Sequence, residues 1–127
     1  MLDTQILIWV LGNRRRLSSR EGIAIEAADE LLVSGLSLME LRIKGRAERR
    51  RGKPLSVPPP EHAIAFCAAR DISIHPFTAA DTAITLDVDP PHGDPFDEML
   101  LAHTQALQAR LLTRDAKLLR HPLAYQP

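Results

Sequence analysis

The sequence predicts an α/β fold in which a short-stranded, mainly parallel sheet is covered by helices on both faces. Three observations predict it. Short apolar runs recur at Met1-Leu2, Leu31–Ser34, Ile72–His75 and Leu111–Thr113. Stretches with apolar residues at helical spacing alternate with those runs. Helix-start signals stand at the head of most of those stretches. At 127 residues the chain suits one domain, spanning 1–127, with one core.

The elements follow in order. Met1-Leu2 ends a stubby first strand, and Asp3-Thr4 leads into a helix using Ile6, Leu7, Val10 and Leu11, with Gly12 just after. Ser18-Ser19-Arg20-Glu21 reads as a capping box before a second helix through about Ala28. Leu31–Ser34 is a strand. Ser37-Leu38-Met39-Glu40 reads as another capping box, opening a helix toward Arg51 that Gly52-Lys53-Pro54 ends. Pro58-Pro59-Pro60 is a stiff joint before a helix from Glu61 to Arg70, whose expected buried stripe is Ile64, Cys67 and Ala68. Ile72–His75 alternates like a strand. Thr78–Asp81 opens a short helix through about Leu86, and Asp89-Pro90-Pro91-His92-Gly93 breaks it. Asp94 then caps a helix with Pro95 at its first position, running from Phe96 to about Ala109. Leu111–Thr113 is a brief strand, and Asp115 starts a last helix through Leu119.

Composition narrows the function classes. Aromatic residues are only 4% of the chain, so the core is built from Leu, Ile, Ala and Val. Cys67 is the only cysteine, which excludes an internal disulfide and a thiolate metal cage. No apolar run approaches the roughly 20 residues that span a bilayer, and the opening residues lack the basic start of a secretory signal. A cytoplasmic protein is expected. The GxxxxGK pattern is absent, which argues against nucleotide hydrolysis. The charge is unevenly spread, with 11 Lys and Arg against 7 Asp and Glu in residues 1–53, and 5 against 9 in residues 54–127.

Four acids occupy similar places. Asp3 lies between the first run and the first helix, Glu40 and Asp97 in the first turns of their helices, and Asp115 just after Leu111–Thr113. In a parallel sheet with right-handed crossovers, strand C-termini and the following helix N-termini share one edge. All four carboxylates can therefore converge. Taken singly, each is better read as an ordinary helix cap than as a ligand, because acids favour helix N-termini. Together they repel one another, and a divalent cation removes that penalty. Oxygen ligands suit Mg²⁺ or Mn²⁺, which can activate water at a phosphodiester.

At these residues the chain resembles the PIN-domain ribonucleases, in the branch holding VapC-type toxins of toxin–antitoxin pairs. Leu2-Asp3-Thr4 resembles their first acidic motif and Ser37–Glu40 their serine-and-glutamate segment. His92–Asp97 resembles the HxDPFD segment of one subgroup, and Leu112–Asp115 the terminal T-x-D motif. Gln5 and Met39 depart from the subgroup, which often has histidine and tryptophan there. The resemblance implies a three-layer PIN-like fold and a Mg²⁺- or Mn²⁺-dependent endoribonuclease, with Asp3, Glu40, Asp97 and Asp115 around the metal. Asp94 is the reserve ligand; Asp97 better matches the family acid that precedes a small-residue helix. Thr113 and Ser37 are expected to stand behind the ligands. The resemblance further implies a homodimer, an RNA substrate and a cognate antitoxin. The alternative is a catalytically silent PIN-like module that binds RNA or protein.

Arg14, Arg15 and Arg16, together with Arg42, Lys44, Arg46, Arg49, Arg50, Arg51 and Lys53, are candidate contacts to RNA or to a partner, and Arg42, Arg46, Arg49 and Lys53 recur as one basic helical face. A solvated face is the plain alternative. His92 is read as shaping its turn, and Trp9, Phe66, Phe77 and Phe96 as packing residues.

Overall fold

The structure, a computed structural model, describes all 127 residues. Helices α1 (Thr4–Gly12), α2 (Ser19–Ala27), α3 (Gly35–Arg50), α4 (Pro60–Ala69) and α5 (Pro95–Ala106) accompany strands β1 (Leu31–Ser34) and β2 (Ile72–His75). The strands pair in parallel, with Leu31 opposite Ile72 and Ser34 opposite His75. Isolated parallel bridges continue the layer, joining Leu2 to Val33, Leu2 to Leu112, and Leu111 to Ala124. Across the layer the order is β2, β1, the run at Leu2, the run at Leu111-Leu112, and Ala124. The chain therefore winds outward in both directions from its own N-terminal run. Such a reversal opens a crevice beyond the carboxyl ends of the two central runs.

Alternation along these runs divides the core. Leu2, Val33 and Leu112 join Ile6, Leu7 and Val10 of α1, Ile25 of α2, Leu41 of α3 and Cys67 of α4 in one cluster. Their neighbours Met1, Leu32 and Leu111 turn the other way, toward Leu100 and Leu101 of α5 and Leu118. Side chains on successive extended residues face opposite sides, so the helices make two layers around a thin sheet, as the expected three-layer fold requires. Each fully buried Leu or Ile contributes roughly 2 kcal/mol, which is how a sheet of very short strands is held.

Several expectations need correction. Ser37 does not cap its helix. Ser34 does, accepting from Leu36 N at 3.1 Å, so α3 begins at Gly35 and carries Ser37 and Glu40 inside it. The segment after Thr78 makes only a 3₁₀ turn over Ala80–Ala83. The last helix is absent: residues 116–120 form turns, and Asp115 Oδ1 accepts from Lys117 N at 2.8 Å. On α4 the buried residues are Ala63 and Cys67, while Ile64 and Ala68 face outward. α5 ends at Ala106 rather than near Ala109. Other local signals match: Ser18 and Glu21 form a reciprocal capping box, and Asp94 caps α5. Gly52, at φ +64°, ends α3 in the left-handed region, where Lys53 N returns to Glu48 O at 3.0 Å.

Candidate active site

Each acid reaches the crevice for a local reason. Asp3 leaves the central run and caps α1, its Oδ1 accepting from Ile6 N at 2.8 Å. Only 8% of Asp3 is exposed. Asp115 leaves the adjacent run, with its N–H held by Thr113 Oγ1 at 3.0 Å. Glu40 projects from the second turn of α3, and Asp97 from the first turn of α5. Asp3, Glu40, Asp97 and Asp115 line one cleft of about 340 Å³, together with Thr4, Gln5, Lys44 and Arg114. Four distant chain segments thus deliver their carboxylates to the place where the sheet order reverses.

Asp94 stands outside this lining. Its Oδ1 accepts from Phe96 N at 2.9 Å and Asp97 N at 3.3 Å, so it works as the cap of α5. With that work done by Asp94, the Asp97 carboxylate is left to face the cleft. Thr113 is buried beside Asp3, where its hydroxyl favours the ionised carboxyl, and it accepts from Asp115 N, orienting that residue. Ser37 is buried beside Thr4, whose hydroxyl meets Ser37 Oγ at 3.0 Å and donates to the Glu40 carboxylate.

The electrostatics fit a site for a cation. Burial pushes the Asp3 carboxyl above its ordinary range, and Glu40 adds to that, against hydrogen bonds from Ile6 and Thr113. Burial likewise pushes Asp97 up; Asp94, Asp115 and Glu40 add to it, and His92 opposes them. Carboxylates that resist ionising beside one another are stabilised together by a divalent ion. Lys44 Nζ, 3.4 Å from Glu40 Oε1, is the only Lys or Arg paired with any of the four. Oxygen-only donors suit a hard cation such as Mg²⁺ or Mn²⁺.

His92, Asp97 and Asp115 can each bring one ligand atom within 4.8 Å of the others. The hydrogen bonding assigns His92 a different part. Asp94 N donates to His92 Nδ1 at 3.1 Å, so in a neutral ring the proton sits on Nε2. Nε2 lies 3.0 Å from Asp97 Oδ2, although off the line of a good hydrogen bond. His92 therefore offers the acids an N–H rather than a lone pair.

Sequence reasoning missed the parts that three residues play here, although it had named Lys44 as a candidate RNA contact. Thr4 supports Glu40, and its place directly after Asp3 was the available signal. Lys44 lies one helical turn from Glu40, a spacing that marks an ion pair. Arg114 lines the cleft, forms an ion pair with Glu21 of α2 and stacks 4.4 Å over the Trp9 ring. Glu21 is 4% exposed. No local pattern links two residues 93 positions apart.

Of the candidate basic contacts, Arg14 is exposed in the 3₁₀ turn Arg14–Arg16. Arg42 and Arg49 border a groove with Pro58–Pro60 and Glu61. Arg46 is exposed on α3, and Lys53, past its end, faces a different groove beside the cleft.

The family model described as PIN domain matches residues 1–122. The chain belongs to the PIN-domain family. Within it the chain is similar to Ribonuclease VapC22 of Mycobacterium tuberculosis (strain ATCC 25618 / H37Rv), with 34% identity over 128 aligned positions, covering 95% of this chain and 90% of that protein. The VapC-type branch suggested by the motifs is thereby supported over nearly the whole chain.

Proposed function

We propose that this protein is a divalent-metal-dependent endoribonuclease and the toxin of a toxin–antitoxin pair, with residues 1–127 acting as one PIN-like unit. The convergence of Asp3, Glu40, Asp97 and Asp115 in one cleft carries the reading. Similarity to a VapC ribonuclease supplies RNA as the substrate class. Asp3, Glu40, Asp97 and Asp115 hold Mg²⁺ or Mn²⁺, which when bound lowers the pKa of water and screens the phosphodiester charge. Thr113 fixes Asp3 and Asp115; Thr4, backed by Ser37, fixes Glu40. His92 keeps an N–H close to the Asp97 carboxylate. Arg14, Arg42, Arg46, Arg49 and Lys53 serve RNA or a cognate antitoxin.

The remaining parts of the reading are a homodimer and a cytoplasmic setting. No helix is long and apolar enough to cross a membrane. The test is cleavage of a random RNA pool by purified, partner-free protein. Cleavage in Mg²⁺ or Mn²⁺, its loss in EDTA and its loss in Asp97→Asn support the reading. Tight RNA binding without cleavage in either metal defeats it in favour of a catalytically silent PIN-like module.

A further inference from the structure

α5 carries Asp97 in its first turn and packs on the sheet through Leu100 and Leu101, which meet Met1, Leu32 and Leu111. Apolar contact is not directional, so it does not by itself fix how far a helix sits along its axis. One side-chain hydrogen bond joins α5 to β1 and α3: His103 Nδ1 lies 2.7 Å from Ser34 Oγ. Both residues are fully buried. Ser34 ends β1 and caps α3. Its Oγ accepts from Leu36 N, which leaves its own proton to donate to Nδ1. The neutral ring is thereby assigned its proton on Nε2. Burial holds the His103 imidazole below its ordinary pKa; Asp81 opposes this and His75 adds to it. Phe77 packs edge-on against the same ring, with centroids 5.4 Å apart.

The bond stands midway between two acids of the cleft. Glu40 lies six residues beyond Ser34 on α3, and Asp97 six residues before His103 on α5. Each is about 9 Å from the bond along its helix. A single hydroxyl therefore references both helices: through Leu36 N it sets where α3 begins, and through His103 it sets where α5 lies. In a dry interior such a bond is strong and specifies one arrangement.

We infer that Ser34 and His103 are positioning residues for the cleft, in that their bond fixes Asp97 of α5 relative to Glu40 of α3. The inference rests on the reading of the cleft as a cation site and deepens it. Oxygen ligands of a hard cation must keep their distances to about 0.2 Å. A slide of α5 too small to disturb its apolar packing is enough to take Asp97 out of reach.

The test is calorimetric Mn²⁺ titration of wild type, Ser34→Gly, His103→Leu, their double variant and His103→Asn, each shown to be folded by circular dichroism. Glycine replaces serine at a helix cap with little loss, so Ser34→Gly removes the bond and keeps α3. Leucine fills much of the ring's space without a polar atom. Each single variant should bind Mn²⁺ about tenfold more weakly than wild type. The double variant should be no weaker than either single, because all three lack the same bond. His103→Asn keeps an acceptor in the place of Nδ1 and should recover most of the affinity. Wild-type affinity in Ser34→Gly and His103→Leu overturns the assignment, since a bond that serves only the fold lowers the Tm and leaves the folded site intact. Losses that add in the double variant overturn it too, as does His103→Asn binding as weakly as His103→Leu. If His103→Leu does not fold, weak binding in Ser34→Gly with recovery in His103→Asn upholds the assignment, and any other pairing overturns it. Bond-dependent Mn²⁺ affinity in a wild-type protein that cuts no RNA upholds the positioning role and defeats the nuclease reading. RNA cleavage in Mn²⁺ with affinity indifferent to these variants defeats the positioning role alone. Wild type that takes up no Mn²⁺ overturns both.

Discussion

His92 Nε2 stands 3.0 Å from Asp97 Oδ2, while its Nδ1 accepts the backbone N–H of Asp94. The HGDPFD turn thus sets one imidazole ring between a helix cap and a cleft acid. Groups that orient a metal ligand typically matter by 10–100-fold. His92→Ala should weaken Mn²⁺ binding about tenfold, as read by calorimetric titration, while leaving the far-ultraviolet circular dichroism unchanged. Unaltered affinity would reduce His92 to a turn residue.

The raised pKa values of Asp3 and Asp97 give a stability prediction with a definite sign. A carboxyl whose folded pKa exceeds its unfolded value penalises the ionised fold. That penalty is fully present above the folded pKa and is relieved as pH falls through it toward the unfolded value. Asp97→Asn should therefore raise the Tm of metal-free protein at pH 7, and the gain should shrink as pH falls toward 4. Saturating Mn²⁺ should reverse the order, stabilising wild type more than the variant. A variant less stable than wild type at pH 7 without metal would contradict this electrostatic account.

Glu21 behaves oppositely. Arg114 is the main cause holding its carboxyl below the usual range, and burial opposes it only in part. This stabilisation is complete above the unfolded Glu value and is lost as pH falls through the lowered folded one. Arg114→Gln leaves a buried carboxylate without its charged partner and should cost about 2 kcal/mol at pH 7 in urea unfolding. The difference from wild type should narrow in acid. Because the pair ties α2 to the loop bearing Asp115, activity at saturating Mn²⁺ should fall as well.

Leu2 joins fold to site. It bridges both Val33 and Leu112 and is 1% exposed, immediately before Asp3. Leu2→Ala should cost about 3 kcal/mol from the cavity and weaken Mn²⁺ binding, since Asp3 is carried by that residue's backbone. A stability loss with intact metal affinity would show that α1 alone positions Asp3.

Signals confined to a few residues were legible in the sequence. The Ser18–Glu21 box and the Asp94-Pro95 start depend on bonds within one turn, and both stand. Ser37-Leu38-Met39-Glu40 has the same local form, yet Ser34 was already placed to cap the helix as β1 ended. What holds Ser37 and Glu40 is Thr4, more than thirty residues away, and no local pattern can show that. The stripe of α4 slipped for a related reason. Ala63, Ile64, Cys67 and Ala68 are all apolar, so the buried face is chosen by the sheet it meets. The four acids were findable because parallel topology sends the ends of different segments to one edge. The basic residues could be named from the sequence, but not their grouping, because Arg16, Lys44 and Lys53 come to one groove only after α1 and α3 pack. That these acids gather at one edge was visible early, and so was the preference for Asp97 over Asp94, with which the capping role of Asp94 and the place of Asp97 in the cleft agree.

Mn²⁺ titration of three proteins, wild type, Asp97→Asn and Asp94→Asn, discriminates most sharply. Asparagine caps a helix about as well as aspartate, so both variants keep α5. Wild type and Asp94→Asn should bind with similar affinity, and Asp97→Asn should bind at least tenfold more weakly. Full affinity in Asp97→Asn, with loss in Asp94→Asn, would mean that the cation lies elsewhere and that the convergence of the four carboxylates serves only the fold.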